Sequence, residues 1–98
     1  MLALPSADKQ KYFLNPVAPT DVPDYHDIIK KPMDWTTIRN RLDQYQYASI
    51  PDFIADLQLP IINSKIYNKP TTTYHKAALR VERVLQPIIA ELSASQHL

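Results

Sequence analysis

The sequence predicts an all-α fold, most simply a small helix bundle, and two observations support this prediction. Three segments between residues 34 and 92 place apolar side chains at steps of three and four, the spacing of one face of an α-helix. The chain also has nine prolines and no glycine, so loops with restricted backbones should connect the helices. With 98 residues and 45% apolar content, residues 1–98 are expected to form a single domain with one modest core.

The first third of the chain predicts one short helix and one long loop. Residues 6–14 are expected to form the helix, with Ser6 as its N-cap. Residues 15–33 predict an ordered loop punctuated by prolines, with a single helical turn over residues 24–29. Loops of this length inside a compact domain are usually functional or disordered, and the aromatic and aliphatic side chains of this one favour function.

A second helix of about ten residues should begin after Asp34, which is a suitable N-cap. The stripe expected to face the core consists of Trp35, Ile38, Leu42 and Tyr45. Trp35 and the preceding Met33 are interpreted as packing residues.

The third helix begins with Ser49-Ile50-Pro51-Asp52, which resembles a capping box with proline in its first turn. Its apolar face continues toward Tyr67 through Phe53, Leu57, Ile61 and Ser64. Pro60 has no amide proton to donate to the carbonyl of Asp56, and its ring crowds that carbonyl. A kink costing about 3 kcal/mol relative to alanine is therefore predicted there.

A link over residues 69–72 leads to the last predicted helix, in which Pro87 should cause a bend. Its apolar face comprises Tyr74, Ala78, Val81, Leu85, Ile88 and Leu92. Residues 93–98 are expected to fray.

The composition excludes several classes of function. Eleven basic against ten acidic residues give a net charge of +1, so direct nucleic-acid binding is not expected. Phosphate loops, dinucleotide fingerprints and the G-x-S-x-G elbow need glycine, which the chain lacks. Without cysteine there are no disulfides or thiolate zinc sites. The short apolar runs predict no transmembrane helix, and no membrane partner, metal or cofactor is expected.

Two segments together predict a pocket. Residues 61–70 form an apolar helical run that stops at a Tyr-Asn pair before Pro70. There Asn68 offers a neutral amide that can hydrogen-bond another neutral amide in a dry slot. Residues 15–25 form the proline-punctuated loop, whose apolar side chains could form the opposite wall. These side chains are Val17, Val22 and Tyr25.

The order of these motifs resembles that of a bromodomain, the four-helix module that binds acetyl-lysine. The matching sequence segments are Asn15-Pro16-Val17, Val22-Pro23-Asp24-Tyr25, Ile28-Ile29-Lys30-Lys31-Pro32-Met33-Asp34 and Asn63-Ser64-Lys65-Ile66-Tyr67-Asn68. The resemblance covers about residues 12–92. The short spacing from Val17 to Pro23, with Tyr74-His75-Lys76-Ala77-Ala78 after the asparagine, is most similar to bromodomains of PHD-finger scaffold proteins in histone acetyltransferase complexes. The implied fold is a left-handed four-helix bundle with a long loop between the first and second helices.

The resemblance also implies the residues that contact acetyl-lysine. Asn68 would donate its side-chain amide to the acetyl carbonyl, and Tyr25 would reach that carbonyl through an ordered water. Phe13 matches the position beneath the acetyl methyl, Tyr67 part of the wall, and Tyr74 the gatekeeper at the entrance. The apolar positions of the first loop are matched by Pro16, Val17 and Val22.

Two features differ from the family pattern. The family's first helix extends well upstream of the loop, whereas Pro5 interrupts the short stretch before Phe13. A truncated first helix is therefore expected, which would expose apolar faces of its neighbours. A shortened chain, a dimer and a divergent member of the family are the alternatives that this leaves open. Lys11-Tyr12 replaces the Trp-Pro pair of some members, and Ser64 stands where cysteine is common, so a more polar rim is expected near Phe13.

Simpler interpretations of the same residues remain open. Asn68 taken alone is a helix C-cap that tolerates left-handed backbone, and Tyr25 taken alone is a loop anchor. Phe13, Val17 and Val22 could simply fasten the loop to the bundle. The three histidines, His26, His75 and His97, are interpreted as surface groups rather than a metal site.

The leading hypothesis is a non-catalytic nuclear reader that binds acetylated lysine in histone or other protein tails and recruits a larger chromatin complex. The alternative is a helical protein-interaction module with a degenerate pocket, possibly dimeric. An enzyme is the third hypothesis, although the sequence contains no recognisable nucleophile-base pair, carboxylate pair or metal cluster.

Overall fold

The computed structural model describes residues 8, 11–16 and 24–95. Within these residues the secondary structure consists of four α-helices without strands. The helices are α1 (Tyr25–Ile28), α2 (Trp35–Asp43), α3 (Ile50–Tyr67) and α4 (Thr73–Ser95). The predicted all-α fold is confirmed, and α1 is the single helical turn expected within the long loop.

The helix predicted over residues 6–14 is not supported where it can be checked. Residues 1–7 and 9–10 lie outside the described residues, while 11–14 form a turn. Lys11 has a φ of 58°, which an α-helix does not accommodate. The buried carboxylate of Asp8 accepts the backbone N–H groups of Tyr12 and Phe13 instead. This side-chain capture favours a turn over a helix.

Helix α2 begins as predicted and ends earlier than its apolar stripe suggested. The Asp34 carboxylate accepts the backbone N–H of Thr37 at 2.8 Å, as an N-cap does. Trp35 and Ile38 are buried in the core. The assignment of Tyr45 to this stripe is wrong, because α2 ends at Asp43 and Tyr45 has a φ of 55° with 94% of its surface exposed.

Helix α3 carries the predicted cap and the predicted buried face. The Ser49 hydroxyl accepts the N–H of Asp52 at 3.3 Å, and Pro51 lies in the first turn. The face consists of Phe53, Leu57, Ile61 and Ser64, all buried. Pro60 is also buried, and the helix continues through it to Tyr67.

Helices α3 and α4 are the main packed pair, and the core lies between them and α2. The most deeply buried side chains of α4 are Ala77, Ala78, Val81 and Leu85. Pro87 lies inside α4 on its exposed side. Residues 93–95, in the segment predicted to fray, are helical, and residues 96–98 lie outside the described residues.

Parts of α3 and α4 present apolar side chains to solvent. These are Ile62, Ile66, Leu79 and Val84. None of the helices in the described ranges is both long and apolar enough to cross a bilayer.

Candidate functional site

A cavity of about 220 Å³ lies where the C-terminal end of α3 meets segment 12–15, α1 and the first turn of α4. Five predicted binding residues line it: Phe13, Tyr25, Tyr67, Asn68 and Tyr74. The other lining residues are Tyr12, Asn15, Met33, Pro60 and Ser64. None of these ten described lining residues is an aspartate, glutamate, lysine, arginine or histidine, and most are aromatic or apolar, so the cavity suits an uncharged guest.

The other three predicted site residues are Pro16, Val17 and Val22. Val17 and Val22 lie outside the described residues. Pro16 is described and exposed to solvent, and its neighbour Asn15 takes the lining position at this edge. Met33, interpreted as a packing residue, packs against the core and also lines the cavity.

Asn68 is held at the end of α3 by three hydrogen bonds. Its backbone N–H donates to the carbonyl of Ser64 at 3.0 Å. Its side-chain Nδ2 donates to the Ser64 hydroxyl at 3.2 Å. Its backbone carbonyl lies 3.0 Å from Nδ1 of His75, and because a carbonyl can only accept, Nδ1 must carry a proton there. Asn68 is therefore anchored through both its backbone and its side chain.

The backbone conformation of Asn68 bears on the simpler C-cap interpretation. Asn68 is the C-cap residue of α3, but its φ of −100° and ψ of 137° are extended. The left-handed conformation that usually explains asparagine at a helix end is absent at this position. An extended C-cap accepts most residue types, so the carboxamide itself needs another explanation.

Ser64 was not predicted as a site residue, yet its hydroxyl joins two parts of the cavity. It lies one helical turn before Asn68 and is 5% exposed. Besides accepting from Asn68, it donates to the backbone carbonyl of Tyr74 at 3.2 Å. The end of α3 and the beginning of α4 are thus connected through one buried hydroxyl.

Tyr25 and Tyr67 form an aromatic wall that is tied to α1. Their ring centroids are 4.9 Å apart in an edge-to-face arrangement. The Tyr67 hydroxyl donates to the carboxylate of Asp24 at 2.6 Å, which fastens the start of α1 to the end of α3. Burial raises the pKa of Tyr25, and for Tyr67 the hydrogen bond to Asp24 is the main cause of a raised pKa. Both phenols are therefore neutral hydrogen-bonding groups at physiological pH.

Phe13 forms the opposite wall and is fixed by contacts with the start of α2. Its backbone carbonyl accepts the N–H of Trp35 at 2.8 Å, and the carbonyl of Leu14 accepts the N–H of Thr36 at 2.9 Å. Asp8, which is 2% exposed, accepts from the Phe13 N–H at 2.7 Å and from Trp35 Nε1 at 3.2 Å. One buried carboxylate therefore organises this whole wall.

The entrance is framed by a second aromatic pair. The rings of Tyr12 and Tyr74 lie 4.6 Å apart, and Tyr74 is half exposed. An extended side chain entering the cavity would pass these two rings before reaching Asn68. The predicted gatekeeper Tyr74 therefore has a partner, Tyr12, that the sequence had indicated only as part of a polar rim.

The interpretation of His75 as a surface group is wrong, because its ring is half-buried and contacts the Asn68 carbonyl. His26 is exposed, and His97 lies outside the described residues. In the described part of the chain, no three histidine, aspartate or glutamate side chains are grouped so as to hold a metal ion.

Comparisons with known proteins agree with this geometry. A family model described as Bromodomain matches residues 3–80. A solved bromodomain from Trypanosoma brucei superposes with a TM-score of 0.83 at 30% identity, covering 92% of this chain and 88% of that one.

Two relatives are much longer than this chain. The histone acetyltransferase GCN5 of Yarrowia lipolytica is 37% identical over 86 residues, which is 88% of this chain and 18% of that protein. The bromodomain and PHD finger-containing protein 3 of Mus musculus is 37% identical over 78 residues, 80% of this chain and 6% of that protein. The chain therefore spans less than a fifth of either relative. The predicted resemblance to bromodomains, including one from a PHD-finger protein, is confirmed.

Proposed function

This chain belongs to the bromodomain family, and we propose that its cavity binds acetylated lysine, with Asn68 donating a hydrogen bond to the acetyl carbonyl. The observation that carries the proposal is the anchored carboxamide of Asn68 in a cavity whose other described lining residues are uncharged and largely aromatic. One N–H of Nδ2 is used by Ser64, and the second N–H of the same group is the proposed donor.

The chemistry of the cavity favours the acetylated over the unmodified side chain. Acetylation converts an ammonium into a neutral amide, whose burial costs little once its carbonyl has a hydrogen bond. An unmodified lysine brings a full charge and three donors, and the described lining offers no carboxylate to pair with it. We therefore expect rejection of unmodified lysine through the cost of removing its charge from water.

The affinity of a single site should be weak. One neutral hydrogen bond contributes about 1 kcal/mol, and each buried methylene contributes about 0.8 kcal/mol. After the entropy lost on association, a dissociation constant of roughly micromolar to millimolar is expected. Such a module recruits a complex through many weak contacts rather than one tight one.

The proposal extends to the setting of the domain. Because one relative is named as a histone acetyltransferase, histone tails are the proposed source of acetylated lysine. On the same ground we propose a nuclear location and recruitment of a larger chromatin complex. We propose a non-catalytic role because the site described here would only bind its guest. We likewise propose that residues 1–98 form one independent domain.

A peptide titration tests the binding proposal. A histone-tail peptide with one acetylated lysine, and its unmodified counterpart, are titrated by calorimetry into the domain and into Asn68→Ala. We expect binding of the acetylated peptide only, weakened at least tenfold by the substitution, roughly the loss of a hydrogen bond together with the burial of an unpaired acetyl carbonyl. Asn40→Ala, the same change on the exposed surface of α2, is the control and should leave binding unchanged.

Equal binding in every combination would overturn the proposal. The alternative function, a helical interaction module that does not depend on acetylation, would then take its place. Light scattering on the same samples would establish whether that module forms dimers.

A further inference from the structure

We propose that Ser64 is a positioning residue that fixes the orientation of the Asn68 carboxamide, so that an N–H and not the amide oxygen is presented to the guest. This inference rests on the proposed function and deepens it. The observation that carries it is the pair of hydrogen bonds made by one buried hydroxyl, to Asn68 Nδ2 and to the Tyr74 carbonyl, each 3.2 Å long.

The direction of both hydrogen bonds follows from proton counting. The Tyr74 backbone carbonyl has no proton, so it can only accept. The Ser64 hydroxyl has a single proton, which is therefore donated to Tyr74. Its oxygen can then interact favourably with the Asn68 side chain only by accepting, and the atom that faces it must be Nδ2.

The reversed carboxamide is disfavoured by the same contacts. Turning the Asn68 amide by 180° would place its oxygen against the lone pairs of the Ser64 oxygen. The hydroxyl could relieve this contact only by giving up its hydrogen bond to Tyr74, a carbonyl on another helix. Ser64 is 5% exposed, so bulk water is poorly placed to substitute for either bond.

The consequence for the guest is a preorganised donor. An asparagine side chain without this contact could present either its oxygen or its nitrogen, because the amide is nearly symmetrical in shape. An acyl carbonyl needs the nitrogen, so a freely turning side chain would lose part of its affinity to the wrong orientation. Ser64 therefore acts through Asn68 and does not need to touch the guest.

A double-mutant cycle tests this inference. The acetylated peptide is titrated by NMR into the domain, Ser64→Ala, Asn68→Ala and the double variant. We expect Ser64→Ala to weaken binding about fivefold when Asn68 is present, and to have no further effect in the Asn68→Ala background. Ser64→Thr retains the hydroxyl and should recover most of the affinity, while Ser93→Ala on α4 is the matched control.

A direct readout on the free domain separates positioning from simple loss of packing. The side-chain NH₂ resonances of Asn68 should shift in Ser64→Ala and return toward their original positions in Ser64→Thr. A merely structural role would change the melting temperature without moving these resonances.

The outcomes separate this inference from the proposed function. If Asn68→Ala weakens binding while Ser64→Ala leaves both affinity and resonances unchanged, the positioning role is wrong and the reader function survives. An equal loss from Ser64→Ala with and without Asn68 also overturns it. If Asn68→Ala itself has no effect, the proposed function fails and this inference fails with it.

Discussion

The two sides of the cavity are held in place by different kinds of contact. On the helix-end side, Asn68 is anchored by Ser64 and His75, which lie within the same short stretch of chain. On the loop side, the walls depend on partners far apart in sequence: Asp8 and Trp35 are 27 positions apart, and Asp24 and Tyr67 are 43 apart. The polar group that would select the guest is organised locally, whereas the walls that would enclose it require the folded domain.

This difference implies that the two sides can be disturbed separately. Removing a long-range contact should loosen the walls while leaving the Asn68 carboxamide anchored by its neighbours. Removing a local contact should leave the walls intact and alter only the donor. The following predictions use this separation, from the largest expected effect to the smallest.

The largest effect is expected from Asp8→Ala on the loop side. The substitution removes the acceptor for the N–H groups of Tyr12, Phe13 and Trp35. With about 1 kcal/mol lost for each, the free energy of unfolding should fall by about 3 kcal/mol. For a domain of this size the melting temperature should drop by roughly 12 to 24 °C. Urea and thermal denaturation followed by circular dichroism measure both quantities.

The control for this prediction is Asp43→Ala, which removes an exposed carboxylate at the end of α2. Its effect should stay within about 0.5 kcal/mol. Comparable stability of Asp8→Ala and Asp43→Ala would contradict the role assigned to Asp8 as the organiser of the Phe13 wall.

A smaller effect is expected from Tyr67→Phe, which removes the hydroxyl that donates to Asp24. Because this bond fastens the start of α1, the position of Tyr25 should become less well defined. We expect about threefold weaker binding of the acetylated peptide with unchanged helical content. Calorimetry measures the first and circular dichroism the second. The control is Tyr45→Phe, since Tyr45 is 94% exposed and lies outside the cavity; unaltered affinity of Tyr67→Phe would show that the tie is dispensable.

The smallest effect appears only at alkaline pH. The pKa values of Tyr25 and Tyr67 are both raised above the ordinary 10.0, by burial and by the hydrogen bond to Asp24 respectively. Each contribution to stability is fully present below pH 10 and is lost as the pH rises through the raised value. The free energy of unfolding should therefore decline above pH 10, and less steeply in Tyr67→Phe. Urea titrations at pH 9 to 11.5 test this, and identical slopes for both proteins would contradict it.

The same division explains what the sequence could predict. Asn68 and Tyr25 were recognisable because a Y-N pair at the end of an apolar helix and a P-D-Y turn are local patterns. The helix starts at Asp34 and Ser49 were recognisable for the same reason, since a cap bonds a backbone group three residues away. Such contacts can be predicted because both partners lie within a few positions of each other in the sequence.

Long-range contacts left no comparable signal. The sequence around Asp8 does not indicate that its carboxylate accepts a hydrogen bond from a tryptophan 27 positions later. The sequence around Asp24 likewise does not indicate the hydrogen bond from Tyr67. His75 was misinterpreted for a related reason, since its contact with Asn68 depends on the turn between α3 and α4. Ser64 lies four positions before Asn68, a spacing that places both on the same helical face. This spacing could have predicted the contact between them.

Tyr45 illustrates the opposite error, in which a local pattern extends beyond its structure. The spacing from Trp35 through Leu42 continues to Tyr45, yet the backbone leaves the helix at Gln44. Periodicity records which residues could share a face, and it does not record where the hydrogen-bonded turns stop. The backbone of Tyr45 is left-handed, a conformation that is costly for a bulky residue and is usually adopted by glycine. Because this sequence has no glycine, it gives no sign of a left-handed residue at this position.

The single tryptophan of the chain lies at a useful place. Trp35 is 4% exposed, its indole nitrogen bonds to Asp8, and its ring meets Phe13 edge to face at 6.2 Å. Its intrinsic fluorescence should therefore report whether the Phe13 wall of the cavity is assembled, without any dye attached to the domain. An unlabelled protein thus carries its own optical sensor for the intactness of this cavity.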